Sequence, residues 1–442
     1  MLRRWLRHAA ALQLLERSFW LVPGGMVAVA AVTGIGIPLL ERGGALDLSA
    51  VSFDVAPSTA NQIFGSIATG TISAAGVAFS VVVVALQLAS QQFSPRVLQT
   101  YRRRRLSQVS LGAFLATATF SLLAMRVITA SPSYVPELSL LLAMAALVAS
   151  AGLFVAFVAD IVRMTEVAAV IHRTAVNAGL AVDRPFPAEG GRDPADADDV
   201  AVRMRRRTEG PPREVRSPRA GFIESIDVGE LVDAAADADG FVEQCVPVGE
   251  FMLTGGLLAR TWAPDEAADE LARRVVGATL FGEERTAARD LAFPVRQLAD
   301  IAVKALSPSL NDPTTAENAM DAAAELLVRR ARREAPSHVR CDDRGEPRVR
   351  AEVVDFDRLV RVAFDQPRIY GAGDPAFSVR MLRLLSQLRD AACAHRRSTT
   401  EVERQARLLR DSARTAAALP EDAEEVVASY EALFERAATT LG

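Results

Sequence analysis

Residues 62–89 read QIFGSIATGTISAAGVAFSVVVVALQLA, an unbroken run without a charged side chain. As a helix this run is about 42 Å long, more than the ~30 Å hydrocarbon core of a bilayer, so it is read as a membrane span. Its polar residues are ordered. Ser66, Ser73, Ser80 and Gln87 recur every seventh position, and Gln62, Thr69, Gly76 and Val83 form an interleaved series. Together they draw one polar-and-small stripe down the helix, flanked by Ile63, Ile67, Ile72, Val77, Val81, Val82, Val84 and Leu88. A seven-residue period favours a left-handed supercoil of close-packed helices. Two readings are open. Small residues let membrane helices approach and exchange hydrogen bonds, which makes the stripe a packing seam. Alternatively, the same stripe from several subunits lines a water-filled path, with Gln62, Ser66, Thr69, Ser73, Gly76, Ser80 and Gln87 as the candidate pore-lining residues.

Three further apolar runs surround this one, at about 19–40, 109–128 and 138–159, each near the ~20 residues that cross hydrocarbon. The overall charge conceals this layout. A net charge of −4 with 24% charged residues is ordinary, but the charge is concentrated after Arg184. Basic residues give an orientation. Arg3, Arg4, Arg7 and Arg17 precede the first span, and Arg96 and Arg102 to Arg105 separate the second from the third. The other two connections hold one arginine between them, beside Glu41, Asp47 and Asp54. The expectation is a multi-pass protein of the bacterial inner membrane with both termini in the cytoplasm. Residues 1–17 carry apolar positions at helical spacing and read as an amphipathic helix on the membrane surface. The cluster Arg102, Arg103, Arg104 and Arg105 reads as contact with lipid headgroups, with a cation ring at a pore mouth as the other reading. Arg126, inside the third span, can snorkel from near its end.

After the spans (residues 18–183) the expectation is a linker over 184–219, a small β-rich module over 220–263 and an α-helical domain over 264–442. Short apolar runs with glycine turns, such as Phe241 to Val248 and Leu257 to Trp262, carry the β reading. Helical periodicity carries the rest, with Thr314 or Thr315 expected to cap the helix that follows Pro313. No phosphate-binding glycine motif is present. Cys245, Cys341 and Cys393 are scattered, as are four histidines, so neither a disulfide framework nor a metal site is expected. No cofactor, catalytic set or nucleic-acid partner is expected, and the protein is not read as an enzyme. Asp300, Asn311, Asp312 and Asp321 lie within reach of one another in sequence, near Ser307. Of these, Ser307, Asn311 and Asp312 form a candidate interaction site, although Asn-Asp-Pro also makes good turn chemistry on its own.

The stretches SFWLVPGGMVAVA (18–30), GVAFSVVVVALQLASQQFSPRVL (76–98), VSLGAFLATATFSLLAMR (109–126) and DIAVKALSPSLNDPTTAENAMD (300–321) resemble the bacterial membrane-protein family called domain of unknown function 2254. The resemblance supports the membrane topology. It implies no activity, and no catalytic residues carry over.

The fold class expected is therefore a mainly α membrane protein: a four-helix transmembrane bundle followed by a cytoplasmic α+β region. The function expected is a homo-oligomeric channel or pore-like protein for ions or small solutes, with the second span lining the axis. The alternative is a membrane-anchored sensor or scaffold without conduction, whose cytoplasmic domain binds partners.

Overall fold

A computed structural model describes residues 20–42, 55–92, 105–130, 135–183, 191–194, 197–285, 290–333 and 337–435. The chain divides into two compact units, Met1–Ala169 and Val170–Gly442.

Among the described residues, four helices of the first unit are long and apolar enough to cross a membrane. They are α1 (Leu21–Arg42), α2 (Pro57–Gln92), α3 (Arg105–Ala130) and α4 (Glu137–Thr165). Helices α2, α3 and α4 exceed the spans expected from sequence, because helical hydrogen bonding continues where the apolar run ends, whereas α1 has the expected length displaced by two residues. The expected surface helix at 1–17 lies outside the described residues.

Helix α3 is the inner member of the bundle. Just over half of its span is buried, 56%, against 17–28% for the other three. It packs against α1, α2 and α4. Glycine sets how closely α1 and α3 approach. A Cβ on Gly34 would lie 3.0 Å from the Phe120 backbone oxygen, and one on Gly112 would lie 3.1 Å from Pro23 Cα. Pro23 meets Gly112 near the start of both helices and Gly34 meets Phe120 further along both, so the two helices run parallel. Helix α4 runs back along α3, with the Thr117 and Ser150 hydroxyls 3.1 Å apart. At the end of α1, Glu41 accepts hydrogen bonds from the Leu138 backbone N–H and the Ser139 hydroxyl, each 2.7 Å, and so caps the start of α4.

The second unit begins with α5 (Val167–Asp183), of which it takes all but the first turn, followed by α6 (Ala197–Arg207). Strand β1 (Arg213–Arg216) comes next, so helix and strand occupy part of the stretch expected to be linker. Then follow β2 (Gly221–Ile226), α7 (Val228–Asp237), β3 (Phe241–Gln244), β4 (Phe251–Met252), β5 (Leu257–Trp262), α8 (Asp265–Gly277) and β6 (Thr279–Gly282). Helices α9 (Ala292–Ala305) and α10 (Pro313–Arg332) precede a hairpin of β7 (Val339–Cys341) and β8 (Pro347–Arg350). The chain continues through α11 (Phe356–Gly371), α12 (Pro375–Ala394), α13 (Thr400–Ala416) and α14 (Pro420–Tyr430), closing on a π-helical turn at Glu431–Glu435.

Two sheets form, with strand orders β1-β5-β3-β8-β7 and β4-β2-β6. Neighbours are antiparallel except β3 and β8, which are parallel, with Val242 opposite Val349. The sheets therefore draw on residues well beyond 220–263. The β7–β8 hairpin interrupts the helical stretch and returns to the sheet. Val215, Ile223, Leu231, Val242, Leu258, Leu271, Phe281 and Val349 form one shared core under both sheets and helices α7 and α8.

Helices α9 to α14 pack on one another, α9 on α10 and α11, α12 on α10 and α13. The stripe Val379, Leu382, Leu385 and Leu388 of α12 is buried inside this unit. Asp312, rather than Thr314 or Thr315, caps α10: its carboxylate accepts from the Thr315 N–H at 3.1 Å. An aspartate preceding Pro313 at N1 suits that position, since proline has no N–H to satisfy.

Candidate functional site

Helix α2 has two opposite faces. Ala60, Phe64, Ile67, Ala68, Thr71, Ala75 and Ala78 are buried against the rest of the bundle. Of these, Thr71 is polar, and its hydroxyl donates to the Ile67 carbonyl of its own helix at 2.7 Å. At about 100° per residue, the stripe expected from sequence falls about 180° from this face. Gln62, Ser66, Thr69, Ser73, Gly76, Ser80 and Gln87 are all exposed. Ser80 donates to the Gly76 carbonyl at 3.0 Å, which turns the hydroxyl along the helix. Ile72, Val77, Phe79, Val84 and Leu88 flank the stripe and are exposed as well.

The stripe is thus not a packing seam within one chain. The glycines make the same point. Gly34 and Gly112 sit where two backbones meet, whereas a Cβ on Gly65, Gly70 or Gly76 would meet nothing within 4 Å. Glycine inside a helix costs about 1 kcal/mol relative to alanine, and on α2 no contact inside the chain compensates for it. Sequence periodicity revealed the stripe. The direction it faces depends on where α3 lies, which no local pattern states.

The arginine cluster is only partly in view. Arg102, Arg103 and Arg104 lie outside the described residues, and Arg105 is described as the first residue of α3. Arg126 is exposed.

Ser307, Asn311 and Asp312 come together in the turn between α9 and α10. Ser307 Oγ donates to the Lys304 carbonyl at 2.6 Å, and the Asn311 N–H donates to the Ser307 carbonyl at 2.9 Å. Asn311 adopts φ +47°, a left-handed conformation that asparagine tolerates better than most residues. Asp312 serves as the α10 cap. These groups are engaged in building the turn. Asp321 is elsewhere, held by the Arg380 guanidinium at 2.9 and 2.7 Å, and Asp300 is buried in α9. Among the described residues, no group of three or more His, Cys, Asp or Glu side chains could hold a metal ion.

Buried charge in the second unit was not legible in the sequence, because the partners, though mostly three to six residues away, look like ordinary surface charge until the fold buries them. Glu401 is buried at the start of α13 and accepts from Arg404 at 2.7 and 2.8 Å and from Gln405 at 2.8 Å. Burial pushes its carboxyl up, but Arg404, Gln405 and Arg361 outweigh that and hold it below the usual range. Asp342 behaves in the same way: burial raises it, and Arg348 with two backbone N–H groups brings it down. At Asp290 burial prevails over Arg285, and the carboxyl is pushed up. Each of these carboxylates is committed to an ion pair, and Glu401 also reaches Arg361 on α11 at 3.4 Å.

Four membrane-capable helices, joined in sequence to an α+β unit, define a multi-span membrane protein. The chain belongs to the predicted membrane proteins of the domain of unknown function 2254 family, matching over residues 16–387. Uncharacterized proteins of Mycobacterium bovis and of Mycobacterium tuberculosis are each 26% identical to it over 390 residues, covering 86% of this chain and 73% of the relative. No solved structure matches it.

Proposed function

We propose that the protein is a homo-oligomeric inner-membrane channel or pore-like protein for ions or small solutes. In this reading α2 of each copy lines a common axis, both termini are cytoplasmic, and the second unit forms a vestibule or regulatory ring. The observation that carries it is the direction of the α2 stripe. A monomer would turn seven polar or small positions toward lipid, where unsatisfied polar groups are costly. A ring of copies turns the same positions toward one another and toward water, while Ile72, Val77, Phe79 and Leu88 on either side pack against neighbouring copies and lipid. The stripe carries hydroxyls and amides without charge, which suits a hydrated path with weak binding along its length.

The test combines planar-bilayer recording with cysteine labelling, in a background where the exposed Cys393 is replaced by serine. Ser80→Cys reacts with a small aqueous thiol reagent in membranes. Ser73→Leu leaves assembly intact and lowers conductance by at least about half, because a bulky side chain near the middle of the span narrows the path. Absent labelling at position 80, together with dissociation of the Ser73→Leu protein, makes the stripe a seam between copies. In that case the spans serve to anchor a partner-binding second unit.

A further inference from the structure

At about 3.6 residues per turn, positions 18 apart on a helix complete five turns and project in the same direction. Along α2 that comparison divides the outward face into two halves. Gln62 shares a line with Ser80, and Thr69 with Gln87, so these lines stay polar from end to end. Ser66 shares its line with Val84, Thr59 with Val77 and Gly70 with Leu88. All six of these positions are exposed. The first half of the face is therefore polar or small throughout, and the second half gains large apolar side chains.

Val84 is the most central of them. It projects within about 40° of Ser80 and about 60° of Gln87, so it falls between two polar levels of the stripe. Its own level is apolar all the way round. Val81, Val82, Val83 and Val84 are consecutive, and at about 100° per residue four such side chains encircle the helix. Val81 and Val82 pack toward Phe114, Phe157 and Ile161 of the bundle, whereas Val83 and Val84 face out.

Two physical consequences follow from this run. Turning α2 about its axis exchanges one valine for another and brings no hydroxyl to this level. Valine is also stiff, since its branched Cβ holds one χ1 rotamer about 90% of the time in a helix, so the side chains do not swing clear. A narrow ring of apolar side chains sheds water and closes a path to ions. We infer that the Val84 side chains of the assembled copies form a dewetting gate, which opens when the α2 helices move apart and not when they turn. The inference rests on the channel reading and adds to it the level at which the path closes.

Planar-bilayer recording of the full-length protein tests it with three variants, each first checked for assembly by size-exclusion chromatography. Val84→Ser wets the ring and raises the mean current at least about five-fold. Val84→Thr keeps the shape, adds a hydroxyl and raises the current less; it carries the test if Val84→Ser does not assemble. Ile72→Ser lies at an exposed position about 100° round the helix from Ser73, and leaves the current within about two-fold of the parent. A conducting parent whose current neither Val84 variant changes overturns the gate and leaves the channel reading in place. An equal rise with Ile72→Ser overturns it as well, since the effect is then not tied to the ring. Absence of current from the parent and from every variant removes the path, and the gate with it.

Discussion

Single glycines separate positions packed inside the chain from positions that face away from it. Gly34→Ala places a methyl 3.0 Å from a backbone oxygen that cannot swing away, so it separates α1 from α3 and costs about 1–3 kcal/mol. Gly76→Ala meets nothing within the chain and gains up to about 1 kcal/mol of helix propensity. Comparative thermal unfolding in detergent checks both: the first variant melts lower than the parent, and the second melts no lower. Glu41 is a residue whose role is set by chain neighbours 97 and 98 positions away. Its sequence context suggests only an acidic loop. Glu41→Ala removes an acceptor for the first turn of α4 and lowers stability by about 1 kcal/mol. Glu401 gives the second unit a pH dependence. Its carboxyl lies below the ordinary value of 4.5 in the folded state, so its contribution is complete above that pH and is lost as pH falls through the lower folded value. The melting temperature of the parent protein therefore falls below about pH 4.5. Glu401→Gln melts lower at neutral pH and shows a shallower acid decline.

At the level of elements, the four spans were legible because each is a long charge-free run, a signal that survives without tertiary information. Their ends were less so. Helix α2 begins at Pro57 and reaches Gln92, since backbone hydrogen bonds continue past the last apolar residue. The seven-residue stripe was legible as a pattern, but the face it occupies relative to α3 was not. The β region was read too small for a different reason. Strand β8 belongs to the sheet through parallel pairing with β3, and nothing near residue 347 announces a partner at residue 242. What secures that pairing is Arg348, buried and bonded to Asp342 at 2.8 Å, to Asp239 at 2.9 Å and to the Gly240 carbonyl at 3.3 Å. Arg348→Ala leaves Asp342 without its guanidinium, a loss of about 3–5 kcal/mol for a buried pair. Hydrogen exchange is expected to show loss of protection in β3 and β8 of this variant, while α12, whose core is elsewhere, keeps its own.

For the molecule as a whole, the proposed orientation makes a chemical prediction. Cysteines introduced at Ser49 and Ser133 react with an impermeant reagent added outside cells, and one at Ser107 does not; the reverse pattern places both termini outside. The β3–β8 pairing carries a further consequence for synthesis. Glu243 and Arg350, which share that register, are 107 residues apart in the chain. At about 5–20 residues per second a ribosome needs roughly 5–20 s to cover that distance. Throughout that interval β3 has β5 on one side and an open row of backbone donors and acceptors on the other. A strand edge bare for that long attracts any extended segment nearby. The vulnerable moment in the life of this protein is therefore translational: it ends when α9, α10 and the hairpin leave the exit tunnel, and it lengthens if the ribosome pauses anywhere between β3 and β8.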